Sequence, residues 1–114
     1  MARDRLIVAI AGASGAVLGI RALQALKRLG TIEIHLIVAR SAARTLAKET
    51  GLTLKKIERL ADVVHDPADR GTPIRSEISD ARGMLVAPCS IEALRAIADE
   101  DNADLVARGA EACL

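Results

Sequence analysis

Five positions or short stretches in the chain carry residue types that could do chemistry. Gly12-Ala13-Ser14-Gly15-Ala16 places two glycines, which let a backbone approach a phosphate or a ring closely, beside a serine hydroxyl. Unpaired N–H groups at a helix start face an anion favourably. The spacing is not Gly-x-Gly-x-x-Gly, so the dinucleotide fingerprint is absent, and the bland reading is a tight turn. Ala87-Pro88-Cys89-Ser90 is a second turn of this kind. Ser90 can cap a following helix and bind a phosphate or ring edge. Cys89 has no histidine near it in sequence and reads as a small buried residue rather than a nucleophile. Glu49 can serve as an acid or base, or stand as a solvated charge beside Lys48. Arg108 offers a fork of donors to a phosphate, or is a surface helix arginine. His35 lies inside an apolar run and reads as a satisfied core or edge histidine.

Those residues need elements to hold them. Leu6 to Ala11 is a continuous apolar run, as expected of a strand buried on both faces. From Ala16 to Leu29 apolar residues recur at helical spacing, and Gly30 is a plausible stop. Ile32 to Val38 is a second strand. Ser41 to Thr50 is a helix with a serine cap, ending at Gly51, and Thr53 to Ala61 is a further helical stretch with a threonine cap. Val63 to His65 is a short strand, Ala68 to Arg82 an extended surface loop, and Gly83 to Ala87 a strand. Ile91 to Ala98 and Ala103 to Cys113 are helices, separated by Asp99-Glu100-Asp101. Strands alternating with helices imply parallel βαβ units and a doubly wound sheet. The two glycine- and serine-bearing turns are therefore expected at one sheet edge, at the carboxyl ends of the strands.

Composition bounds the rest. A chain of 114 residues, 51% of them hydrophobic, is expected to form a single domain over 1–114 with ample core. It holds no Phe, Tyr or Trp, so its core is built from aliphatics. A net charge of +1 gives no electrostatic argument for nucleic acid or for a membrane surface. Two cysteines and two histidines show no metal-ligand spacing. The first apolar run is too short for a signal segment or a membrane span, and a cytoplasmic protein with reduced thiols is expected. Four strands and a final helix leave a sheet edge open, which predicts self-association.

Taken together the motifs resemble the UbiX-type flavin prenyltransferases of the flavoprotein superfamily. The resemblance rests on Gly-Ala-Ser-Gly-Ala-x-x-Gly-Ile-Arg at Gly12 to Arg21, Glu-Ile-His-Leu-Ile-Val from Glu33, Glu-Thr-Gly-Leu from Glu49, Gly-Met-Leu-Val-Ala-Pro-Cys-Ser from Gly83 and Leu-Val-Ala-Arg-Gly-Ala-Glu from Leu105. The Pro-Cys-Ser turn separates the chain from the related cysteine-decarboxylase flavoproteins, which usually carry a Pro-Ala-Ser-Ala-Asn-type turn. The resemblance implies a Rossmann-like, flavodoxin-like three-layer α/β sandwich with a parallel sheet of about four strands. It implies FMN as cofactor, dimethylallyl phosphate as substrate, no metal, and a decarboxylase that receives the prenylated flavin. It also implies a homo-oligomer, usually a dodecamer.

By the same resemblance Ser14 matches an active-site serine and Glu49 an acidic active-site residue. Gly12, Ala13, Ser14, Ser90 and Arg108 match flavin-contacting positions, and Ala39 stands where the family usually has a flavin-binding serine. The chain departs from the family at Ile91-Glu92-Ala93, where a polar set is usual, at Arg75-Ser76-Glu77-Ile78, and at Ala103-Asp104. The family's later Lys, its Pro-Arg-Glu segment and its carboxyl-terminal Tyr and Arg have no counterpart before Leu114. Prenyl transfer by this chain is therefore expected to be poor. A non-catalytic flavin-binding or assembly protein, and a ligand-free Rossmann-like scaffold, are the alternative readings.

Overall fold

The computed structural model describes residues 3–12, 14–67, 80–100 and 105–113. In chain order these form β1 (Asp4–Ile10), α1 (Ala16–Leu29), β2 (Ile32–Val38), α2 (Arg40–Thr50), α3 (Leu54–Glu58), β3 (Val63–His65), β4 (Gly83–Val86), α4 (Ile91–Ala98) and α5 (Leu105–Cys113). The strands make one parallel sheet in the order β3-β2-β1-β4. The chain steps outward from β1 to β2 and β3, then returns to the other side of β1 for β4. The gap between the carboxyl ends of β1 and β4 is thus the topological switch point, where ligands of open α/β sheets bind.

Both faces of the sheet are covered. Val8 and Ile10 of β1 and Ile34, Leu36 and Val38 of β2 point to one side, where they pack with Ile20 and Leu23 of α1, Leu46 of α2 and Ile57 of α3. Ile7, Ala9 and Ile37 point to the other, against Leu105 and Val106 of α5. The alternation follows from the two-residue period of a strand. Because neither side meets water, Ile7 through Ile10 are 0% exposed, as the unbroken apolar run predicts.

Most expected elements stand where the sequence places them, with differences at their ends: β1 is Asp4–Ile10 rather than Leu6 to Ala11, and β4 ends at Val86. The α2 helix begins one residue earlier, with Ala39 as its N-cap and no side-chain cap bond, so Ser41 lies inside the first turn. The α3 helix is only Leu54–Glu58, although Thr53 does cap it, accepting from the Lys56 amide at 3.3 Å. The last helix is described from Leu105 to Cys113; its expected start at Ala103 lies outside the described residues, as do 68–79 of the expected surface loop. No described helix is long and apolar enough to cross a membrane.

Two polar groups tie the β3 edge to the core. His35 and His65 are buried on the α5 side, with His35 Nδ1 2.9 Å from His65 Nε2 and His35 Nε2 2.8 Å from Glu33 Oε1. A carboxylate only accepts, so His35 Nε2 carries a proton, and in the neutral ring Nδ1 then accepts from His65 Nε2. The satisfied-histidine reading of His35 therefore holds. Asp62, just before β3, accepts the Ile34 amide at 2.8 Å and the Arg3 guanidinium at 3.1 Å. The amide bond above all, with Arg3 beside it, holds the Asp62 carboxyl below its ordinary value of 3.8 against a smaller opposing effect of burial.

Gly19 sets how closely α1 can lie. A Cβ there would collide with the carbonyl oxygen of Ala87 and stand 3.0 Å from Ile10 Cγ1. Alanine is about 1 kcal/mol better than glycine in a helix interior, yet Gly19→Ala is expected to destabilise the fold by roughly 1–3 kcal/mol through overpacking, as read by urea denaturation. Asp62→Ala leaves the buried Ile34 amide unpaired and is expected to cost about 1–3 kcal/mol near neutral pH. A depressed carboxyl contributes stability above its unfolded pKa and loses it as pH falls through the folded one. The gap between wild type and Asp62→Ala should therefore be full above about pH 4 and shrink on further acidification, which denaturation curves across that range would read.

Candidate functional site

At the carboxyl end of β1 three chain segments are stitched together by backbone bonds. The Ala87 amide donates to Ala9 O at 2.9 Å and the Ala11 amide to Pro88 O at 3.1 Å, which joins the turn after β4 to the end of β1. On the other side the Ala39 amide donates to Ile10 O at 2.9 Å, which joins the start of α2. The two turns singled out in the sequence thus meet at one sheet edge, beside the switch point. The Ala87–Pro88 peptide is cis.

The α2 helix flanks the glycine turn along its length. Near its start, Ser41 packs so closely on Gly12 that an added Cβ would collide with the serine Oγ and lie 2.9 Å from the Ser41 carbonyl carbon. Glycine at position 12 is what lets the two segments touch. Near its end, Glu49 reaches back to the start of α1. Its Oε1 accepts the Gly15 amide at 3.1 Å and its Oε2 the Ala16 amide at 3.2 Å. Gly15, the N-cap of α1 with φ 92°, has no side chain to do this. A carboxylate from another helix therefore caps α1 and meets the positive end of its dipole. Glu49 is exposed, but it is a held group rather than the solvated charge of the bland reading. Each of its oxygens keeps a further lone pair for a ligand.

Ser14 is exposed and makes no hydrogen bond with the described residues, so its hydroxyl is available at the lip of the crevice. Ala13 lies outside the described residues. Ser90 is the N-cap of α4, and its Oγ accepts the Ala93 amide at 3.0 Å. That leaves the hydroxyl proton for a ligand. Cys89 is exposed, which corrects the buried reading, since the turn points the thiol away from the core. Burial pushes the Cys113 thiol above its ordinary pKa. Ala39 brings its backbone to the site but no hydroxyl. Arg108 is half-buried on α5, whose Leu105 and Val106 belong to the far layer of the core. Among the described residues no cluster of His, Cys, Asp and Glu can hold a metal ion.

The helix termini at this edge differ in a way the sequence does not announce. The starts of α1 and α4 are capped by Glu49 and Ser90. The start of α2 has no side-chain cap, so the N–H groups of Arg40 and Ser41 have no side-chain partner among the described residues. Such a terminus is suited to an anion. Sequence reasoning passed over Arg40 and Ser41. The available signal was the alanine at position 39, where a capping residue is usual.

Comparison with known proteins agrees with this geometry. The flavoprotein family model matches residues 1–102. Flavin prenyltransferase UbiX of Salmonella typhimurium is 42% identical over 110 residues, covering 96% of this chain and 58% of the relative. UbiX of Thauera aromatica is 44% identical over 110 residues, covering 96% and 56%. The chain thus spans under three-fifths of the length of the curated relatives it matches. A crystal structure of AnUbiX in complex with FMN and dimethylallyl pyrophosphate superposes with a TM-score of 0.89 at 41% identity, covering 97% of this chain and 58% of that one. A dodecameric FMN-dependent UbiX-like decarboxylase from Escherichia coli O157:H7 gives 0.89 at 38%, covering 95% and 59%. With its parallel sheet, its glycine and Pro-Cys-Ser turns joined at the switch point, and a family model matched over residues 1–102, the chain belongs to the flavoprotein family.

Proposed function

We propose that this chain is a single cytoplasmic domain that binds FMN in the β1–β4 crevice and serves flavin prenylation. In that reaction a dimethylallyl group passes from dimethylallyl phosphate to reduced FMN, and the prenylated flavin goes to a decarboxylase. The observation that carries the reading is the stitched edge with one helix terminus left uncapped. It supplies both halves of an FMN site: an anion seat at the start of α2, and a close-approach backbone surface at Gly12 leading to Ser14 and Ser90. Phe, Tyr and Trp are absent from the chain, so backbone and aliphatic surface hold the ring without stacking from this chain.

Within this site the chain's residues have separable tasks. Arg40, the Arg40 and Ser41 amides and the Ser41 hydroxyl receive the phosphate, with the helix dipole behind them. Ser14 and Ser90 offer hydroxyl donors to the ring edge. Glu49, oriented by the Gly15 and Ala16 amides, keeps the glycine turn in place and accepts a proton or hydrogen bond from substrate through its remaining lone pairs. When bound, reduced FMN supplies the electron-rich ring that receives the prenyl group. Arg108 reaches the flavin from the far layer in this reading. A homo-oligomer is part of this reading: among the described residues no strand pairs with the outer side of β4.

The test is incubation with reduced FMN and dimethylallyl phosphate without oxygen, followed by mass analysis of the flavin. FMN is expected to bind. Transfer by these 114 residues alone is expected to run many orders of magnitude below that of a relative spanning the whole length, because each electrostatic group a site lacks costs about 2–4 kcal/mol of transition-state stabilisation. A chain that leaves free FMN spectrally unchanged overturns the reading in favour of a ligand-free scaffold. Glu49→Ala removes the α1 cap and should cost about 1 kcal/mol of stability. It should also weaken FMN binding, while Glu49→Gln, with one acceptor oxygen, should recover part of both. Equal FMN affinity in Glu49→Ala and wild type would show that the cap does not shape the site.

A further inference from the structure

The net charge of +1 conceals a division. Residues 1–60 hold 11 of the 16 Lys and Arg but 4 of the 15 Asp and Glu, and residues 61–114 hold the remainder of each. The fold turns that division into one in space, because α1, α2 and α3 all come from the first part and cover the same face of the sheet. On α2, Arg40, Arg44 and Lys48 stand four residues apart and so lie along one stripe. The α1 helix adds Arg21, Lys27 and Arg28, and α3 with its C-cap adds Lys55, Lys56 and Arg59. All are exposed.

Little opposes these cations. The α1 helix contains no Asp or Glu. The one carboxylate of α2, Glu49, is held by the Gly15 and Ala16 amides, and the one of α3, Glu58, is half-buried. The ion pairs among the described residues involve Arg3, Arg5, His35 and Arg82, none of them on this layer. Like charges four apart weaken a helix, although Lys27, Arg28 and Lys48 sit in last turns, where the helix dipole favours a cation. Across the same layer runs an open groove of about 460 Å³ lined by Gln24, Lys27, Arg28 and Leu60. Lys27 is fixed at its side by a 2.9 Å bond to Arg59 O.

We propose that the α1–α3 layer is a docking surface for a partner protein rich in surface carboxylates, one of whose side chains seats in the groove over Leu60. Complementary charge steers such an encounter and sets its specificity. Nucleic acid fits less well. The chain has no Phe, Tyr or Trp on which to stack a base, and these helices lie along the sheet with Leu23, Leu46 and Ile57 turned inward. A second copy also fits less well. The described carboxylates of the opposite helices, Glu92, Asp99, Glu100 and Glu111, are interrupted by Arg95 and Arg108 and are too sparse to match three rows of cations.

Fluorescence anisotropy of labelled poly-L-glutamate tests this, with a DNA duplex and phosphatidylserine–phosphatidylcholine vesicles as competitors. The variant Arg28→Glu/Arg44→Glu/Lys55→Glu reverses one charge on each helix outside the crevice, and Arg95→Glu on α4 is the control. Poly-L-glutamate is expected to bind, more weakly as salt rises. The triple reversal should weaken it by roughly tenfold or more, with FMN binding and the Arg95→Glu control unchanged. If the reversal does not fold by circular dichroism, Arg28→Gln/Arg44→Gln/Lys55→Gln carries the same test with a smaller expected loss. Unchanged binding in a folded triple variant overturns the proposal. So does tighter binding to duplex or vesicles than to poly-L-glutamate. Sedimentation showing that the triple reversal abolishes self-association instead would assign the face to a second copy and overturn it equally.

Discussion

The carboxyl end of β1 is the constraint on which the rest of the structure depends. A strand buried on both faces ends among apolar layers, and its last backbone groups must find partners without water. They find them in the turn after β4 and the first residue after β2, through the bonds of Ala87 to Ala9, Ala11 to Pro88 and Ala39 to Ile10. That requirement alone gathers three loops at the switch point. The crevice is thus a by-product of completing the ladder, and Gly12 and Gly19 are where the chain forgoes a side chain so that the segments can close on one another.

Once the loops are gathered, the positive ends of several helices crowd one edge, and each must be neutralised or left to a ligand. The α4 helix is closed locally by Ser90. The α1 helix cannot be, because its N-cap is Gly15, and Glu49 arrives from α2 to take that role. Since α2 also presses Ser41 onto Gly12, a single helix holds the glycine turn from both sides. Its own start, with Ala39 for a cap, is left unpaired by side chains. A terminus left in this state is suited to an anion.

What was legible in the sequence divides by the distance over which each feature is decided. The limits of α1, β2 and α4 follow from local periodicity and breakers, and Ser90 as a cap is decided within three residues. The meeting of the glycine turn with Pro-Cys-Ser was also legible, because strand ends of parallel units share an edge. The role of Glu49 was not, since its partners are more than 30 residues away and no residue type announces a cap supplied by another helix. Ser41 illustrates the same limit. Residue type favours it as the cap, but the chain leaving β2 is already helical at Arg40, so the extended position falls on Ala39. The exposure of Cys89 and the pairing of His35 with His65 likewise depend on neighbours that only the sheet brings near.

The central claim is that Glu49 closes the start of α1 and leaves the start of α2 for a phosphate. An amide-resolved NMR titration with FMN, set beside riboflavin, tests it most directly, because the two ligands differ by the phosphate alone. The account predicts phosphate-dependent shifts at the amides of Arg40 and Ser41, with Gly15 and Ala16 keeping the shifts of their carboxylate-bonded state under both ligands. Phosphate-dependent shifts at Gly15 and Ala16, with Arg40 and Ser41 unmoved, would mean that the phosphate displaces Glu49 and would contradict it.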